Sequence, residues 1–119
     1  MKTMMYRQGD VLLVAIAALP EGAKLVKNEK EVVLAHGEAT GHAHVMDAAA
    51  VEEYKTAQPA PVHDLACERF LKVMLETTLR HEKGGQPTGE HDTQHIAPGI
   101  YGLVPQCEWS YDQPRRVTD

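Results

Sequence analysis

Hydrophobic positions along the chain fall into short blocks separated by turn residues, and their spacing predicts strands. The most apolar block, Val11 to Leu19 (VLLVAIAAL), shows no alternation, but Gly9 before it and Pro20 and Gly22 after it bound a strand from Asp10 to Leu19 buried on both faces. The turn LPEG then reverses the chain. Glu31 to Ala35 (EVVLA) and Ala43 to Met46 read as two more strands, joined through HGEATG, whose glycines suit a hairpin loop. From Asp47 to Pro61 the chain is alanine-rich and then broken by Pro59 and Pro61, which predicts a short helix or a surface excursion.

Between Val62 and Glu82 two periods compete. Helical spacing collects Val62, Leu65, Ala66, Phe70, Val73 and Met74, whereas alternation collects Leu71, Val73, Leu75, Thr77, Leu79 and His81. The first half fits a helix. Thr77 and Thr78, and the clean stop at Lys83-Gly84-Gly85, favour a strand from Arg69 onward that points His81 inward. A polar loop from Lys83 to Gln94 follows, then the turn Ala97-Pro98-Gly99 and a strand from Ile100 to Val104. The expected fold is mainly β: a small single-domain β-barrel or sandwich with one short helix or excursion. It spans residues 1–112, followed by a loosely held tail, 113–119.

Composition narrows the functional classes. A chain of 119 residues supports one core, and a 43% hydrophobic, 24% charged make-up is that of an ordinary globular domain. Seventeen acidic residues against twelve Lys and Arg give a net charge of -5, which argues against a surface shaped for the nucleic-acid backbone. The longest apolar run is about half of the roughly 20 residues a membrane span needs, and the N-terminus carries no secretory pattern, so a cytoplasmic protein is expected. The two cysteines, Cys67 and Cys107, form no CxxC pair and read as buried thiols.

The seven histidines are the sharpest chemical feature. In Gly41-His42-Ala43-His44 two imidazoles stand two apart, which on a strand is one face, and neutral imidazole is a common metal ligand. His81, at the end of an inward-facing strand, fits as a third ligand. The next group is Gly89-Glu90-His91-Asp92 and His95, of which His91 is the better fourth ligand. Glu82 stands as a catalytic base or an alternative fourth ligand. The ligand set His42, His44, His81 and His91 contains no cysteine and admits zinc, manganese, iron or nickel. His36 and His63 read as ordinary polar residues. In Tyr6-Arg7-Gln8-Gly9-Asp10, a polar strand entry, Arg7 and Asp10 are the residues considered for facing the site, with pairing and turn chemistry as their plainer role.

With its YRQGDV opening, its GEATGHAH hairpin, His81-Glu82, Gly89 to His91 and Pro98 to Tyr101, the chain resembles a group of small uncharacterised bacterial and phage proteins. More loosely it is similar to the cupins, in which a glycine-led HxH pair, a later acid and a further histidine hold a metal inside a small β-barrel. Gly37, His42 and His44 follow the first cupin motif; only Asp47 stands near its expected glutamate. In the second motif the histidines precede the Pro98-Gly99 turn instead of following it. That resemblance implies a β-fold with an interior site and names no reaction.

Three functions are consistent with these residues. The first is a metal-binding protein or metal-dependent enzyme. The second is metal-free phosphodiester cleavage by two histidines, which needs a cation such as Arg7, Arg80 or Lys83 beside the phosphate. The third is an interaction or inhibitor module, bacterial or phage, whose histidines are incidental. The expected associations are an unidentified small-molecule or protein partner and a homo-oligomer, and no membrane.

Overall fold

The computed structural model describes residues 4–8, 11–36, 42–62, 65–83, 86–87, 93–104, 107–109 and 114–116. Among them every regular element is a strand. In chain order these are β1 (Met5–Gln8), β2 (Val11–Ile16), β3 (Lys24–Val26), β4 (Glu31–His36), β5 (His42–Asp47), β6 (Val51–Val62) and β7 (Leu65–Val73). Then come β8 (Thr77–Lys83), β9 (Gln86–Pro87), β10 (Gln94–Ile96), β11 (Gly99–Val104), β12 (Cys107–Trp109) and β13 (Pro114–Arg116). All pairings are antiparallel. They give a six-stranded sheet, β1-β2-β11-β7-β6-β3, and a second sheet, β10-β8-β5-β4, with β9 also on β8. The two sheets do not close into a barrel. The strands β12 and β13 form a separate two-stranded ladder, in which Pro114–Arg116, placed by the sequence in the tail, pair with Cys107–Trp109.

The central apolar cluster draws on both sheets: Leu13, Leu71 and Tyr101 from the first, and Val32, Met46 and Leu79 from the second. As expected, β2 is buried on both sides, since Val11 and Leu13 join this cluster while Val14 joins another. That second cluster, with Val62, Cys67, Phe70 and Val104, lies on the opposite face of the six-stranded sheet. The strand β6 shifts register between Lys55 and Ala60 before it reaches Val62, a member of this cluster. Gly102 leaves room for it: a Cβ there would lie 3.1 Å from Val62 Cγ2 and 3.3 Å from Cys67 Sγ. Burial pushes the Cys67 thiol up to about 11, consistent with a buried, inert thiol.

Three expectations about local structure are corrected. The helix or excursion over Asp47 to Pro61 is instead a turn followed by the long strand β6. Ala48 and Ala50 donate backbone hydrogen bonds to Lys30 and Asp47, and three alanines are too few to nucleate a helix against Val51, Tyr54 and Thr56, which favour strands. Pro59 falls within the irregular stretch of β6, where its missing N–H is tolerated. The helix considered after Val62 is strand β7. The single strand predicted from Arg69 to His81 is two strands divided at Met74–Glu76, so Leu75, assigned to the inward face, is 65% exposed.

Polar side chains tie the sheets together at two seams. At the first, Arg69 on β7 donates from Nη1 to Leu34 O (2.9 Å) and from Nη2 to Val33 O (2.7 Å), where the β4–β5 ladder shifts register. Its Nε donates to Glu53 Oε2 at 2.8 Å, and Glu53 Oε1 also accepts from Asn28 Nδ2 at 3.0 Å. At the second seam β1 leans on the other sheet. Gln94 Nε2 donates to Arg7 O, and Ala97 N donates to Tyr6 Oη at 3.3 Å. The Tyr6 ring meets Tyr101 edge-on, with centroids 5.7 Å apart, and Tyr101 Oη donates to Ala97 O at 2.7 Å.

Arg69→Met should therefore remove three charge-assisted hydrogen bonds and leave the buried Glu53 carboxylate without its ion pair. Because Arg69 keeps some solvent contact, the expected loss in urea unfolding is about 2 kcal/mol, with the m-value unchanged. A loss below about 0.5 kcal/mol, the range of an ordinary surface substitution, would show that this seam does not hold the sheets together.

Candidate functional site

Strands β5 and β8 pair in a register that sets His44 directly opposite His81 and His42 opposite Lys83. Residues paired in this way share a face of the sheet, and the same face carries Met46 and Leu79 into the central core. The two histidines therefore extend the inner face beyond the apolar residues. Both are buried, at 0% and 4% exposure, with ring centroids 4.6 Å apart and ring planes inclined at 48°.

A third side chain reaches this pair from the other sheet. Gln8, buried at the end of β1, donates from Nε2 to Leu79 O at 2.9 Å and brings Oε1 to 2.9 Å from His44 Nδ1. A carbonyl only accepts, so the contact with Leu79 fixes which end of the amide is nitrogen and turns the oxygen toward His44. His44 Nδ1 must then carry the proton. In the neutral ring Nε2, which is shielded from water, becomes the basic nitrogen.

The opposite face of β8 has different chemistry. Thr78, Arg80 and Glu82 alternate with Leu79 and His81, and Arg80 gathers them: Nε donates to Glu82 Oε2 at 2.6 Å and Nη1 to Thr78 Oγ1 at 2.9 Å. Asp47, 3.0 Å away, and Glu31, 3.3 Å away, complete the cluster around its guanidinium. Burial opposes the charge, but Glu82 and Asp47 outweigh it and raise the Arg80 pKa further above its ordinary value.

The structure thus brings His44 and His81 together and sets Glu82, considered as a base or ligand, in an ion pair on the other side of the sheet. His42 stands two positions before His44 on β5. His91 lies outside the described residues, in the connection between β9 and β10, both of which pair with β8. Gly37 and Gly41 also lie outside them. His95, ranked below His91, is exposed, with Nδ1 3.8 Å from Glu76 Oε1. Among the described residues no group of three or more His, Cys, Asp or Glu is gathered for a metal. Gln8 was missed. The signal was alternation in Tyr6-Arg7-Gln8, which sends Tyr6 and Gln8 to one side of β1 and Arg7 to the other.

If Glu82 serves as a buried counter-charge, Arg80→Met should cost about 1–3 kcal/mol by leaving its carboxylate unpaired. Adding Glu82→Leu should recover much of that loss in a double-mutant cycle followed by thermal unfolding. Strict additivity of the two substitutions would mean that the pair is not coupled.

Residues 7–106 match a family model described as Domain of unknown function (DUF8820). No curated protein and no solved structure matches the chain.

Proposed function

The chain belongs to the DUF8820 family, a domain of unknown function, and from the paired imidazoles of β5 and β8 we propose that it binds one divalent transition-metal ion at the seam between its sheets. His44 and His81 are two of the ligands. His42, on the same strand as His44, and His91, in the connection that starts and ends on β8, supply the others. The observation that carries this reading is the contact of His44 Nδ1, 2.9 Å from an amide oxygen whose orientation the Leu79 bond fixes; it makes Nδ1 the donor and Nε2 the basic nitrogen, the one a metal ion would take. Metal-bound histidines commonly donate their second nitrogen in this way.

The burial of both rings favours a closed set of four imidazoles with a structural role over an open site that admits substrate. It also weighs against the metal-free acid–base reading, in which the rings must reach a reacting hydroxyl. A nitrogen-only set suits zinc, iron or nickel, and manganese less well because it prefers oxygen ligands. Among the described residues no helix is long and apolar enough to cross a membrane.

Protein prepared without a histidine tag should carry one equivalent of metal by elemental analysis. With free metal a hundredfold above Kd, the native state should gain about 2.7 kcal/mol, seen as a higher melting temperature than after chelator treatment. His44→Ala should abolish that increment, whereas His95→Ala, at an exposed position, should retain it. Equal melting temperatures with and without metal, or equal effects of both substitutions, would overturn the proposal.

A further inference from the structure

The metal reading names ligands, but the structure also carries a residue that would decide how one of them binds. We infer that Gln8 is the positioning residue of the site: it fixes the His44 tautomer and ring orientation so that Nε2 is the ligating nitrogen. The inference rests on the proposed metal site and deepens it. Three observations converge on it. Gln8 is 2% exposed, and a side-chain amide so deeply buried in a small domain requires partners for both of its ends. It meets His44 Nδ1 and Leu79 O at the same distance, 2.9 Å, so neither end can rotate without losing a bond. Finally, Gln8 belongs to the six-stranded sheet, while His44, His81 and Leu79 belong to the other.

These two contacts do different work. The bond to Leu79 O is a structural link between sheets, and any donor of suitable length would serve. The bond from His44 Nδ1 selects a nitrogen, and any acceptor would serve. Glutamate separates the two roles: a carboxylate accepts the Nδ1 proton but donates nothing to Leu79. Leucine removes both contacts while keeping a similar volume.

Zinc affinity of the full chain is measured by competition with a chromophoric chelator for wild type, Gln8→Leu, Gln8→Glu and His44→Ala. In the metal-free proteins, long-range proton–nitrogen correlation spectra report which His44 nitrogen bears the proton. Wild type should bind zinc and show the proton on Nδ1. Gln8→Leu should lose that preference and bind zinc about 10- to 100-fold more weakly, whereas Gln8→Glu should keep the tautomer and stay within about threefold of wild type. Should Gln8→Leu fail to fold, Gln8→Glu decides alone. Loss of affinity in Gln8→Glu equal to that of an unliganded His44→Ala protein would reduce Gln8 to a link between sheets and overturn the inference. Wild-type affinity in Gln8→Leu, with binding abolished in His44→Ala, would overturn it and leave the metal site standing. No zinc binding by wild type would overturn both.

Discussion

A buried amide links the two sheets of this protein at the candidate site. Gln8 extends from the end of an edge strand in the six-stranded sheet, and both polar ends of its amide meet groups of the second sheet, Leu79 O and His44 Nδ1. An unsatisfied amide at 2% exposure would cost on the order of 1–3 kcal/mol, a large fraction of the stability of a small domain. The relative placement of the sheets is therefore constrained at this point. The same constraint holds the His44 ring beside His81. Fold and candidate site are coupled through one side chain.

The alternation of β8 divides the surrounding chemistry. On the inner face Leu79 and His81 continue the core toward the paired imidazoles, and on the outer face Thr78, Arg80 and Glu82 form a network that includes Asp47 and Glu31. A shift of one residue in the β5–β8 register would exchange the two faces, burying Arg80 in the core and moving His81 out. Both sets of contacts resist such a shift; at the other seam the Arg69 guanidinium occupies carbonyls beside the irregularity in β4. Carbonyls engaged in this way are also less available to pair with another strand.

Much of this architecture was legible in the residues. Valine pairs, bounded apolar runs and glycine or proline turns marked β2, β4, β5 and β11, and the two-residue spacing of His42 and His44 put both on one strand. The interpretation failed where local propensity and tertiary pairing disagree. The alanines before Val51 suggested a helix or an excursion, yet Val51 to Lys55 pair with β7 and bury Glu53 against Arg69. Met74 to Glu76 look like the continuation of a strand, but the chain bends there between β7 and β8, and alternation carried across the break assigned Leu75 to the core. The encounter of His44 with His81 depends on a ladder between residues far apart in sequence, and that of His44 with Gln8 depends on how two sheets pack. Neither distance is encoded in local pattern, although an inward-pointing glutamine two residues after an inward-pointing tyrosine was a detectable sign.

The most direct test of the proposed centre is the zinc X-ray absorption spectrum of the metal-loaded protein, because it reads the atoms bound to the ion. The account predicts a nitrogen shell at about 2.0–2.1 Å, with multiple scattering from at least two imidazoles that is lost in His44→Ala. A sulfur shell at about 2.3 Å, or an oxygen-only shell without imidazole scattering, would contradict it by placing the ion away from His44 and His81.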